Sequence, residues 1–127
     1  MISHVNIGTN DLPRAKAFYT ELLALVGGKP MPGVGERINF IRSPREPMII
    51  LGTPFDGEPA TVGNGMMVSL GCKDEAQVEA VYEKALSLGA TSEGEVGPRG
   101  DQGQFYGGYF RDLDGNKLAA FTLTTKP

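Results

Sequence analysis

Leu12, Ala15, Phe18, Tyr19, Leu22, Leu23 and Val26 recur three and four residues apart, a spacing that gathers them on one face of a helix. Asn10 or Asp11 offers a side-chain oxygen to the first-turn amides, and Pro13 falls where its missing N–H costs nothing. Gly27 and Gly28 stop the pattern. A second helical stripe follows at Val78, Val81, Tyr82, Ala85 and Leu86, with Asp74 as its cap, Gln77 placed to bond back, and Gly89 as a left-handed terminator. The remaining apolar runs are short and bounded by turn residues, which predicts strands. Residues 2–8 and 66–72 each lead into a helix. Residues 37–42 and 48–51 follow the first helix, and 91–96, 104–111 and 117–124 follow the second. Asp112-Leu113-Asp114-Gly115-Asn116 between the last two predicts a tight hairpin turn, since Gly and Asn tolerate positive φ.

The two halves repeat one another. An offset of about half the chain brings His4 onto Met67, Val5 onto Val68, Gly8 onto Gly71, Asp11 onto Asp74, Tyr19 onto Tyr82 and Leu23 onto Leu86. The second half reads β-α-β-β-β, and the first follows the same plan if a further short strand precedes Arg37. The expected organisation is a first module over residues 1–52, a linker over 53–64 rich in Pro, Gly and Asn, and a second module over 65–127, together one compact domain.

Length and charge narrow the partners. The 127 residues allow one domain or two small modules sharing a core. Twelve Lys and Arg against 15 Asp and Glu leave a net charge of −3, without the basic field that draws in a phosphate backbone, so nucleic acid is not expected. Eighteen Gly and 9 Pro point to many tight turns. The run 22–26 falls far short of the roughly 20 apolar residues that span a bilayer, and Met1-Ile2-Ser3-His4 lacks a charged or apolar leader pattern, so the expectation is a cytoplasmic protein without a membrane partner. Cys72 is the lone cysteine, which excludes an intrachain disulfide and predicts a buried, inert thiol.

The opening residues Ile2-Ser3-His4-Val5-Asn6-Ile7-Gly8-Thr9-Asn10-Asp11-Leu12, then Ala17-Phe18-Tyr19 and Leu22-Leu23, resemble those of the vicinal oxygen chelate superfamily of glyoxalases, bleomycin-resistance proteins and extradiol dioxygenases. The closing stretch, from Phe105-Tyr106-Gly107-Gly108-Tyr109-Phe110 through the 112–116 turn to Lys117-Leu118, resembles it too, with Leu113 where proline is usual. The resemblance implies an α+β fold of two βαβββ modules, their sheets curling around a central cleft with the helices outside, and a homodimer. Strand alternation then places Val5, Ile7, Val68, Leu70, Leu118 and Ala120 under the helices. His4, Asn6, Met67, Ser69, Ala119 and Phe121 take the cleft side.

Metal-dependent members hold a divalent ion with His and Glu from the first and last strands of each module, and that pattern tests this sequence directly. His4 matches. The other positions fall within 48–51, all apolar, on Met67, and on Ala119. Hard and borderline ions need imidazole or carboxylate donors, so no inherited metal site and no cofactor are expected. Asp101, Asp112, Glu93, Glu95 and Glu46 could build a relocated site, although each reads more simply as a surface or turn carboxylate. His4 is the candidate catalytic residue, as general base or ligand contact, against a plain structural histidine bonded to a backbone carbonyl.

What remains is an apolar cleft with polar handles, the usual makeup of a small-molecule site. The expected ligand contacts are His4, Asn6, Met67, Ser69, Tyr106, Ala119 and Phe121, with Ile50, Phe105 and Tyr109 nearby and Arg37, Arg42, Arg45 and Arg99 as candidate anion anchors. Glycines over 94–103 and at 107–108 read as loops able to approach a ligand, without the Lys and Ser/Thr of a phosphate loop. The first functional reading is a metal-independent protein that binds a small, partly aromatic or amphipathic organic molecule. The alternatives are a metal-dependent lyase, isomerase or dioxygenase built on His4 and relocated carboxylates, and a structural or regulatory subunit without a ligand.

Overall fold

The computed structural model describes residues 1–124; the expected second module runs to 127, and its last three residues lie outside the described residues. The elements are β1 (His4–Gly8), α1 (Leu12–Ala24), β2 (Lys29–Pro32), β3 (Ile38–Ile41), β4 (Met48–Gly52), β5 (Val68–Gly71), α2 (Glu75–Ser87), β6 (Thr91–Arg99), β7 (Phe105–Arg111) and β8 (Lys117–Leu123). They form two βαβββ modules, each with a four-stranded mixed sheet, in the orders β1-β4-β3-β2 and β5-β8-β7-β6. The strand needed before Arg37 is present as β2, pairing antiparallel with β3.

In the first module Asp11 caps α1 by accepting the Arg14 amide at 3.1 Å. The buried stripe Ala15, Phe18, Tyr19, Leu22 and Leu23 joins buried Ile7, Phe40 and Leu51 from the sheet. In the second, Asp74 accepts the Gln77 amide at 2.8 Å, and Gln77 bonds back to the amide of Lys73, one residue before the cap. Val78, Val81, Tyr82 and Ala85 are buried with Leu70, Phe110, Leu118 and Ala120. Gly89 ends this helix region at φ +106, a conformation open to glycine at little cost.

The chain divides into two compact units, Met1–Val62 and Gly63–Pro127. Most of the segment expected as a linker is fastened to the first: Asn10 donates to the Ala60 carbonyl at 3.0 Å and accepts its amide at 2.6 Å. Of the glycine-rich stretch 94–103, expected as a loop, only 100–103 forms a turn. Its residues to Arg99 belong to β6, which pairs with β7 through two register shifts, and bulges of this kind admit Gly and Pro into an edge strand. Cys72 is half-buried instead of buried, its thiol directed at the Leu70 carbonyl at 3.6 Å.

Candidate functional site

In the first module the helix-free sheet face is set by register. His4 lies beside Met48, Asn6 beside Ile50, and Ile50 beside Asn39, while the intervening Val5, Ile7, Ile49 and Leu51 take the helix side. His4 and Asn6 are exposed, and Met48 and Ile50 are half-buried. The His4 Nδ1 lies 2.9 Å from the Ser3 hydroxyl, so the partner is a neighbouring side chain and not the backbone carbonyl expected of a structural histidine. Among the described residues no carboxylate reaches His4, and the geometry supplies it with no acid–base partner.

In the second module Ser69 pairs with Ala119, Tyr109 also pairs with Ala119, and Gly107 pairs with Phe121. These residues share the helix-free face with Phe105, whose ring lies 5.4 Å from that of Phe121. Met67, just before β5, is 42% exposed, whereas Ala119 is 1% exposed, its methyl covered by its neighbours. Tyr106 is a correction. It pairs with Thr122 in phase with Phe110 and Leu118, so it takes the helix side, and its hydroxyl donates to Glu79 of α2 at 2.8 Å. The carboxylate that accepts this bond raises the Tyr106 hydroxyl above its ordinary pKa. Tyr109 lies on the helix-free face, with the Arg99 guanidinium 5.3 Å and the Lys117 ammonium 5.6 Å from its ring centre. That cationic flanking was not legible in the sequence.

Three of the five carboxylates proposed for a relocated metal site are already engaged. Glu46 receives two bonds from Arg42, and Glu93 receives one from Arg111 at 2.6 Å; each guanidinium holds its carboxyl below the usual range. Asp112 is 6% exposed and accepts the amides of Asp114 and Asn116 and the Asn116 side chain, which closes the hairpin turn. Among the described residues no three His, Cys, Asp or Glu side chains gather in a ligand group. The donors at the implied positions, one imidazole among apolar side chains, do not fit a divalent ion.

Of the arginines, Arg42 holds Glu46 and the Val26 carbonyl, and Arg99 holds the Glu95 and Pro98 carbonyls. Arg45 is exposed. Arg37 is half-buried and lines two surface cavities of the first module, of about 320 and 350 Å³, together with Thr53, Pro54 and Phe55. No helix among the described residues is long and apolar enough to cross a membrane.

The family model described as Glyoxalase/Bleomycin resistance protein/Dioxygenase superfamily matches residues 1–120, and the chain belongs to that superfamily. A solved glyoxalase/bleomycin resistance protein from Albidiferax ferrireducens T118 is 37% identical, with a TM-score of 0.87 over 96% of this chain and 98% of that one. Two more distant structures share the fold. A lactoylglutathione lyase from Agrobacterium tumefaciens is 20% identical with a TM-score of 0.68, over 96% of this chain and 92% of its own. The fosfomycin resistance protein FosX from Listeria monocytogenes is 18% identical with a TM-score of 0.71, over 98% and 94%. No protein of curated function matches the chain.

Proposed function

We propose that this chain binds a small, partly aromatic or amphipathic organic molecule on the open sheet faces, without a divalent metal. One observation carries the reading: of the positions where the superfamily resemblance implies metal ligands, His4 alone bears a donor suited to such an ion, and Met67, Ala119 and the apolar β4 occupy the rest. The same substitutions leave surface suited to an organic ligand. Met67 is unbranched and adaptable, Phe105 and Phe121 offer ring faces, and Asn6, Ser69 and His4 supply hydrogen bonds. A lyase of lactoylglutathione and a fosfomycin resistance protein share this fold, and a small organic molecule is common to both names. The reading includes a cytoplasmic location and a homodimer, the latter supported by exposed Val34 and Met66, which give a second copy apolar surface to cover.

Thermal unfolding tests it. Planar organic molecules raise the melting temperature, because a ligand that binds only the native state at about 100 times its Kd adds about 2.7 kcal/mol. Mn²⁺, Fe²⁺, Ni²⁺ and Zn²⁺ do not. Met67→Ala and Phe121→Ala weaken the ligand more than His4→Ala does. Near-stoichiometric metal retention that His4→Ala abolishes would overturn the reading in favour of a metalloenzyme, and no response to any organic molecule would leave a structural or regulatory subunit.

A further inference from the structure

Arg37 is the one arginine of the first module that both faces a cavity and lacks an internal partner among the described residues. The residue is half-buried along its stem, and its guanidinium makes no hydrogen bond or ion pair there, which leaves its donors for a ligand or water. Its placement is built in. The turn before β3 closes through Gly33, whose amide donates to the Arg37 carbonyl at 2.8 Å. The Arg37 stem then crosses Gly52 at the end of β4 so closely that a Cβ on that glycine would stand 2.8 Å from the Arg37 Cγ. The opposite wall is fixed as well. Pro54 and Pro59 stiffen the segment, the Gly57 amide closes a turn on the Pro54 carbonyl, and the Asn10–Ala60 pair fastens the far end.

The larger of the two cavities, about 350 Å³, adds Asn6, Ile50 and Pro59 to the shared Arg37, Pro54 and Phe55. Asn6 is likewise unpartnered among the described residues, so a planar fork and an amide donor share a recess with apolar walls. Asp56 also lines it and brings a negative charge to the recess, with its Oδ1 turned to the Glu58 amide at 2.9 Å. With Glu36 lining the adjoining cavity, one guanidinium suits a monoanion better than a dianion. Deepening the small-molecule reading on which it rests, we infer that Arg37 and the cavity under Phe55 bind the carboxylate of a ligand whose ring-sized apolar body lies against Pro54, Phe55 and Ile50.

Amide NMR titration of the full chain tests this with phenylacetate, its uncharged counterpart phenylacetamide, and inorganic phosphate. Phenylacetate shifts the amides of Asn6, Thr53, Phe55 and Gly57 saturably, and phenylacetamide binds at least about tenfold more weakly, the scale of a charge-assisted fork. Arg37→Gln lowers the phenylacetate affinity by about the same factor, and Arg37→Lys by less because the charge survives without the fork. Gly52→Ala, which displaces the arginine stem while keeping its charge, also weakens binding. Equal binding of acid and amide, stronger binding of phosphate than of phenylacetate, no saturable shift with phenylacetate, or indifference to Arg37→Gln overturns the inference. Neutral aromatic molecules that shift the Met67 and Phe121 amides while phenylacetate leaves the Arg37 cavity untouched would sink this inference alone. Silence from both would sink the small-molecule reading with it.

Discussion

The two modules share a topology and distribute their bulk differently. In the first, the aromatic volume sits on the helix, where Phe18 and Tyr19 meet edge to face at 5.1 Å and Tyr19 reaches Phe40 at 6.4 Å. In the second, the helix offers mostly Val78, Val81 and Ala85, and the sheet supplies the fully buried Phe110. Tyr82, the repeat-mate of Tyr19, still needs room. Gly108 provides it, since a Cβ there would stand 2.9 Å from both the Tyr82 ring and Val96. The repeat therefore conserves the space between helix and sheet, not the side of the interface that fills it. The sheets differ in reach as well. β6, β7 and β8 have 9, 7 and 7 residues and a turn locked by Asp112, whereas β2, β3 and β4 have 4, 4 and 5, and the first module spends its connecting segment on cavity walls.

Removing the aromatic that anchors the second module is the strongest way to break this comparison. Phe110→Ala costs about 3–5 kcal/mol of stability in denaturant unfolding, the usual range for a buried ring. Phe18→Ala, which empties the helix side of the first module, costs a similar amount; a loss under about 1 kcal/mol for either would show that its module does not depend on that ring. Gly108→Ala costs about 1–3 kcal/mol through overpacking against Tyr82. Gly71→Ala, on a strand of the same sheet with open space at its Cβ, stays within about 0.5 kcal/mol of the native protein. Equal costs at the two glycines would refute the role given to Gly108.

The helices and their caps were legible because spacing and capping chemistry are local, and the repeat exposed β2, whose Lys29-Pro30-Met31-Pro32 carries no strand pattern and is exposed throughout. The phase of β7 was harder to read. Aromatics stand at both parities, Phe105 and Tyr106 before the glycine pair and Tyr109 and Phe110 after it, so alternation alone cannot say which faces the helix. The hairpin could have. A turn over 112–116 pairs Arg111 with Lys117 and therefore Phe110 with Leu118, which sends Tyr106 to the helix side. The Arg37 cavity had no such signal, because Phe55 and Pro54 lie in a segment with the composition of a linker, and only the Asn10–Ala60 bonds show that it is a wall.

The smallest expected effect concerns two ion pairs, one taken from each module. Arg42–Glu46 spans a turn four residues long, with side chains 50% and 41% exposed; Arg111–Glu93 ties β7 to β6 across the sheet, at 33% and 38%. Both glutamates titrate below their ordinary value because a guanidinium stabilises the charged form. A carboxyl depressed in the folded state contributes stability that is fully present above its unfolded pKa, near 4.5, and is lost as pH falls through the lower folded value. The stability difference between the native protein and Glu93→Gln is therefore flat above about pH 5.5, shrinks as the solution is acidified, and disappears once both states are protonated. Glu46→Gln follows the same curve with a smaller amplitude, since its partner is more exposed and joins neighbours in sequence. Both amplitudes fall at about 1 M salt, where the screening length is about 3 Å. A larger effect for Glu46→Gln would mean that the turn between β3 and β4 depends on its ion pair more than the long second sheet does, reversing the order of the two modules.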